Sequence, residues 1–88
     1  MFENFTFRAE TFKEDDVYVS LAPELGVSSF GETAARAKES LQEAVGLFLE
    51  ECQQMGTLED VLEESGYRPV GNSWRPPKAV VEELTMGV

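Results

Sequence analysis

Residues 23–33 read PELGVSSFGET, between the alternating run Val17-Tyr18-Val19-Ser20-Leu21-Ala22 and an alanine-rich stretch that starts at Ala34. The reading of this segment decides the fold. Pro23 has no N–H to give to a sheet ladder, so it ends the strand at 17–22. Gly26 permits a sharp turn, and Val27 to Phe30 can return as a short third strand. Gly31 frees the chain to leave the sheet, and the Thr33 hydroxyl is placed to cap a helix. The segment therefore predicts a strand-to-strand-to-helix connector.

Working outward, residues 2–12 alternate, with Phe5, Phe7 and Ala9 on one side and Thr6, Arg8 and Glu10 on the other. Val17, Val19 and Leu21 likewise share one face, and the charged turn Lys13-Glu14-Asp15-Asp16 joins the two runs as a hairpin. From Ala34 to Met55, Ala37, Leu41, Ala44, Val45, Phe48, Cys52 and Met55 recur at helical steps. Glu39, Glu43 and Glu50 fall opposite this stripe. Leu47 lies well outside it and Leu49 at its margin. Gly56 stops the helix. Thr57 starts a second, short one, with Asp60 in capping-box position, and Gly66 ends it so that Tyr67 folds back on Leu62. GNSWRPP (71–77) reads as a loop. The tail KAVVEELTMGV (78–88) places Val80, Leu84, Met86 and Val88 in period two and predicts a final strand.

The expected fold class is α+β: a three-stranded antiparallel sheet, a long helix, a short second helix and a C-terminal strand, all in one domain over residues 1–88. With 88 residues the core is thin, and domains of this size often gain stability by self-association. A strand near the C-terminus leaves an edge for a second copy, with Val80, Leu84 and Met86 as the contacts.

Seven basic residues face seventeen acidic ones, for a net charge of −10. That field repels nucleic acid and steers in a basic protein. Arg8, Lys13, Arg36, Lys38, Arg68, Arg75 and Lys78 are spread along the chain and predict no basic stripe, hence no direct nucleic-acid binding. There is no histidine, so the commonest general base and metal ligand is missing and no Ser/His or Cys/His nucleophile can form. Glu14, Asp15 and Asp16 sit in one turn, whereas a two-metal site needs acids converging from separate elements. No catalytic residue, metal, cofactor or small-molecule substrate is expected. Cys52, the single cysteine, lies on the core stripe and reads as an inert buried thiol. The lone cysteine, the lack of a signal-like N-terminus and the lack of a spanning apolar run predict a cytoplasmic protein without membrane contact.

In order and spacing, several pieces resemble one family. They are Val17-Tyr18-Val19-Ser20-Leu21-Ala22-Pro23-Glu24-Leu25-Gly26, then Gly31-Glu32-Thr33, then a helix containing Ala37, Leu41, Glu43, Ala44 and Leu49-Glu50. Over residues 5–68 the chain resembles the HicB-like antitoxins of bacterial toxin–antitoxin pairs. The resemblance implies a partial ribonuclease-H-like fold and a non-enzymatic role, in which the chain, acting as a homo-oligomer, occludes a small basic, RNA-cleaving HicA-type toxin. The family's turn usually has proline where Leu25 stands, and its first helical turn usually carries acids where Ala34-Ala35-Arg36 stand. Full-length antitoxins add a DNA-binding module. Only 22 residues follow Gly66, too few for a helix-turn-helix, so none is expected here. The other reading is an orphan homo-oligomeric interaction module without a toxin.

For a partner interface the candidates are Glu39, Glu43, Glu50 and Leu47 on the helix, with Trp74 and Arg75 from the loop. Trp and Arg dominate binding hot spots. Each has a plainer reading: a solvated helix face for the acids, and for Trp74 a ring that pins its loop to the domain.

Overall fold

The computed structural model describes residues 4–87. Its elements are β1 (Asn4–Phe5), β2 (Glu10–Glu14), β3 (Val17–Ala22), β4 (Val27–Gly31), α1 (Ala34–Met55), α2 (Leu58–Glu64), β5 (Arg68–Val70) and β6 (Ser73–Arg75). The chain is α+β, with the antiparallel sheet β2-β3-β4, the long helix, the short helix and a C-terminal strand.

The 23–33 segment folds as its residues dictate. The N–H groups of Leu25 and Gly26 both reach the Ala22 carbonyl, at 3.2 and 3.0 Å, and Gly26 takes the left-handed φ of +69°. Thr33 caps α1 by accepting the Arg36 N–H at 3.1 Å. Gly31 is required for a different reason from the one its position suggests. A Cβ there would lie 2.7 Å from the Ala37 nitrogen, so the strand could not run this close under the first turn of α1.

At the far end of α1, Gly56 takes φ +73°, and the N–H groups of Gly56 and Thr57 satisfy Gln53 and Cys52 carbonyls. The capping box at Thr57 and Asp60 does not form. The Thr57 hydroxyl donates back to Cys52 O at 3.4 Å, so it closes the α1–α2 corner instead of opening α2. Gly66, with φ +87°, ends the second corner, and the Tyr67 N–H meets Leu62 O at 2.9 Å.

The N-terminal run is not one strand. Residues 6–9 interrupt it; Asn4–Phe5 pairs in parallel with β6, and Glu10–Glu14 pairs with β3. Residues 2 and 3 of the expected strand lie outside the described residues. The segment 71–77 is only partly loop, because Ser73–Arg75 forms β6 against β5 around Gly71-Asn72. The C-terminal strand thus comes earlier than the tail. Residues 76–87 hold no helix or strand, and Val88 lies outside the described residues. Pro76 and Pro77 have no N–H to continue a ladder, and the Arg8 guanidinium holds the Pro77 carbonyl, which directs the chain off the strand.

The core lies between α1, α2 and one side of the strands. Ala22, Leu41, Val45, Leu49, Leu62 and Tyr67 are buried together, with Phe5, Phe7, Val27 and Trp74 packed against them. Leu49, marginal by periodicity, is inside. Met55, on the same stripe, is mostly exposed because the helix outruns the core it covers.

Candidate functional site

Side chains alternate across a strand, so register assigns every residue of β2-β3-β4 to a face. Ser20 and Ala22 lie under α1, fully buried, with Thr11 and Ser29 beside Ser20 and Val27 beside Ala22. The Thr11 and Ser20 hydroxyls are 2.9 Å apart, which satisfies the buried Ser20. The helix thus sits on small and polar residues. The bulky set points the other way: Phe12 pairs with Val19 and Val19 with Phe30, a row across the whole sheet, flanked by Val17 and Leu21. No described helix or strand covers this outer face, and Phe12 and Phe30 are 47% and 69% exposed.

The edge of this apolar row is anionic. Glu10 and Glu14 share its face, Asp15 and Asp16 form the hairpin tip, and Glu32 follows β4. Asp15 takes a left-handed φ of +54°, which a short polar side chain tolerates. The only cation of the three strands, Lys13, pairs with Tyr18 and so belongs to the helix side. An apolar centre with a carboxylate rim fits a partner with apolar groups ringed by Lys and Arg.

The expected interface residues fall in three places. Glu39, Glu43, Leu47 and Glu50 step along the back of α1, all exposed and opposite the buried Ala37, Leu41, Val45 and Cys52. Leu47 therefore stands within an acidic stripe, and nothing described covers it. Trp74 turns inward and packs against the core, with only part of its ring accessible. Arg75 points to the other side of β6 and lines a groove with Arg8, Arg68 and Lys78. The structure therefore does not join Trp74 and Arg75 to the helix acids. Val80, Leu84 and Met86 are all exposed in the tail.

Cys52 is buried and unpaired, as its place on the helix implies. Among the described residues, no three of His, Cys, Asp and Glu stand close enough together to hold a metal ion, and no helix is long and apolar enough to cross a membrane. The one ion pair among them joins Arg8 to Glu24 at 3.0 Å.

Two features lay beyond the sequence reading. The direction of the Val17-Val19-Leu21 face is not readable from alternation, which says that two faces differ but not which one a helix covers. The Gly71-Asn72 hairpin carried a signal, a two-residue glycine turn between short runs. With it, the cations scattered in sequence come together in space. The chain matches no protein-family model, no curated protein and no solved structure.

Proposed function

We propose that this chain is a non-enzymatic protein-binding module, acting in the cytoplasm, that sequesters a small basic partner. The observation that carries the reading is the Phe12–Val19–Phe30 row, whose two phenylalanines are exposed either side of a half-buried valine, rimmed by Glu10, Glu14, Asp15, Asp16 and Glu32. A small domain that leaves its bulkiest sheet face open forgoes burial it could use, and such faces mark interaction sites. A rim of carboxylates opposes a second copy of itself in the same place and attracts a cationic surface. Self-association is then left to other surfaces, the tail residues Val80, Leu84 and Met86 among them.

The resemblance to HicB-like antitoxins supplies the partner's identity within this proposal: a small basic RNA-cleaving toxin, held by stoichiometric occlusion of its RNA-binding surface. Co-expression tests it. A small basic protein encoded beside this chain should arrest growth alone, lose toxicity when this chain is present, and co-elute with it as a defined complex. The Phe12→Ser, Phe30→Ser double variant should fail to rescue. Full toxicity in the presence of the unaltered chain refutes the antitoxin reading. Rescue by both forms removes the sheet face as its means.

A further inference from the structure

In a chain of net charge −10, the fold brings four of the seven cations to one place. Arg8 reaches it from the N-terminal run, Arg68 from β5, Arg75 from β6, and Lys78 from the segment after the proline pair. They line a groove of about 880 Å³, with Val70 and Pro77 as apolar wall. This is the size range of small-molecule sites.

Arg8 is already occupied. Its guanidinium donates to the Glu24 carboxylate at 3.0 Å and to the Pro77 carbonyl, which fixes one wall of the groove. The other three have no carboxylate, since Arg8–Glu24 is the only ion pair among the described residues. Arg68 and Arg75 are register partners, so their side chains leave the same face of the hairpin side by side. Like charges directly opposite each other weaken an antiparallel pair. This hairpin has only three residues in each strand, and it is anchored by the pairing of β6 with β1 and by Trp74 against the core rather than by its own pair of guanidiniums. None of the described acids is placed to neutralise the two guanidiniums.

The geometry points to a site for a compact, multiply charged phosphate, a phosphate monoester or diphosphate, held between Arg68 and Arg75 with Lys78 as third charge. A guanidinium offers two parallel N–H groups that match phosphate oxygens, and lysine adds a mobile point charge. Such an anion also removes the repulsion that the hairpin otherwise carries. An extended nucleic acid fits less well. It would leave the groove for the anionic rest of the surface, against a field that repels it. The site is separate from the outer apolar row and stands whether or not that row binds a protein.

Isothermal titration of the intact chain with pyrophosphate at low ionic strength tests this, with potassium chloride at matched ionic strength as reference. Saturable one-to-one binding is expected. Arg68→Gln with Arg75→Gln should weaken it about tenfold or more, as loss of charge-assisted hydrogen bonds implies. Without ligand, the same variant should unfold no earlier than the parent, since a repulsion is gone. Lys78→Gln, in a segment without secondary structure, should weaken binding with the fold untouched. Lys13→Gln, the same charge change elsewhere, should not. A response no larger than that to chloride overturns the proposal, as does undiminished binding by the double variant. So does binding of a single-stranded decanucleotide or a glutamate decapeptide when pyrophosphate does not bind.

Discussion

The Tyr67 ring lies stacked on Phe5, with centroids 5.0 Å apart and planes 14° apart, so the residue that ends the second helical corner clamps the first strand. Its hydroxyl is buried without a partner, as is Glu24 Oε1. Burial first, then the negative charge of Glu24, pushes the phenol up to about 12, with Arg8 pulling the other way. Between the ordinary value of 10.0 and that raised one, the unfolded chain ionises while the folded one stays protonated. Stability should therefore be flat through neutral pH and fall from about pH 10 to about pH 12, by on the order of 2–3 kcal/mol. Tyr67→Phe should abolish that fall and leave stability near pH 7 unchanged or slightly higher, because the hydroxyl has no partner to lose. Denaturant melts of both forms at pH 7, 10 and 11.5 read the difference. An equal alkaline loss in the variant would refute the assignment.

Two glycines should respond oppositely to alanine. Gly31→Ala puts a Cβ 2.7 Å from the Ala37 nitrogen and 2.8 Å from the Arg36 carbonyl carbon, both backbone atoms that cannot step aside. A loss of about 1–3 kcal/mol is expected from such overpacking. Gly46 is exposed in the middle of α1, and a Cβ added there would meet nothing within 4 Å. Gly46→Ala should therefore raise stability by about 1 kcal/mol through helix propensity. Thermal melts of the two variants check both signs at once.

The elements that were legible in the sequence are those written in local chemistry. Thr33, Gly56 and Gly66 place the ends of the helices, and Pro23 with Gly26 places the turn between β3 and β4; each acts on the backbone beside it. What escaped the sequence depends on distant partners. The tail's period-two pattern is real, yet Val80, Leu84 and Met86 find no sheet edge, because the chain is turned away at Pro76-Pro77 by a residue far upstream, Arg8. The interface candidates show the same division. Exposure of Leu47 and the helix acids follows from the helical period, whereas the outward turn of Phe30 follows from which face of its sheet α1 covers, and the inward turn of Trp74 from how the separate β1-β6-β5 sheet meets the core.

That division sets different outcomes for four substitutions. Trp74→Ala should act on the fold, lowering stability by about 2 kcal/mol or more, since its ring packs on the core. Phe30→Ser should barely change stability, because the ring is mostly exposed, yet the complex it forms should dissociate faster than the parent's. Glu39→Gln and Glu43→Gln should chiefly lower the association rate and its dependence on salt. Surface plasmon resonance against the proposed basic partner at two salt concentrations, beside thermal melts, separates these effects. Faster dissociation from the glutamate changes alone would move the interface from the sheet to the back of α1.

Self-association is the remaining expectation with named contacts. Val80, Leu84 and Met86, with Val81 beside them, are more than 80% exposed in a segment that holds no secondary structure, so they contribute almost nothing to the folded monomer. Four large apolar side chains within seven residues are unfavourable in water unless a second surface receives them. The chain should therefore form dimers at tens of micromolar, roughly the regime of weak interfaces. Replacing Val80, Leu84 and Met86 by serine should yield monomers with the melting temperature of the dissociated parent. Light scattering over a dilution series, beside melts at the lowest concentration, reads both quantities. A parent that is monomeric throughout, or a triple variant that still dimerises, removes the tail as the association surface.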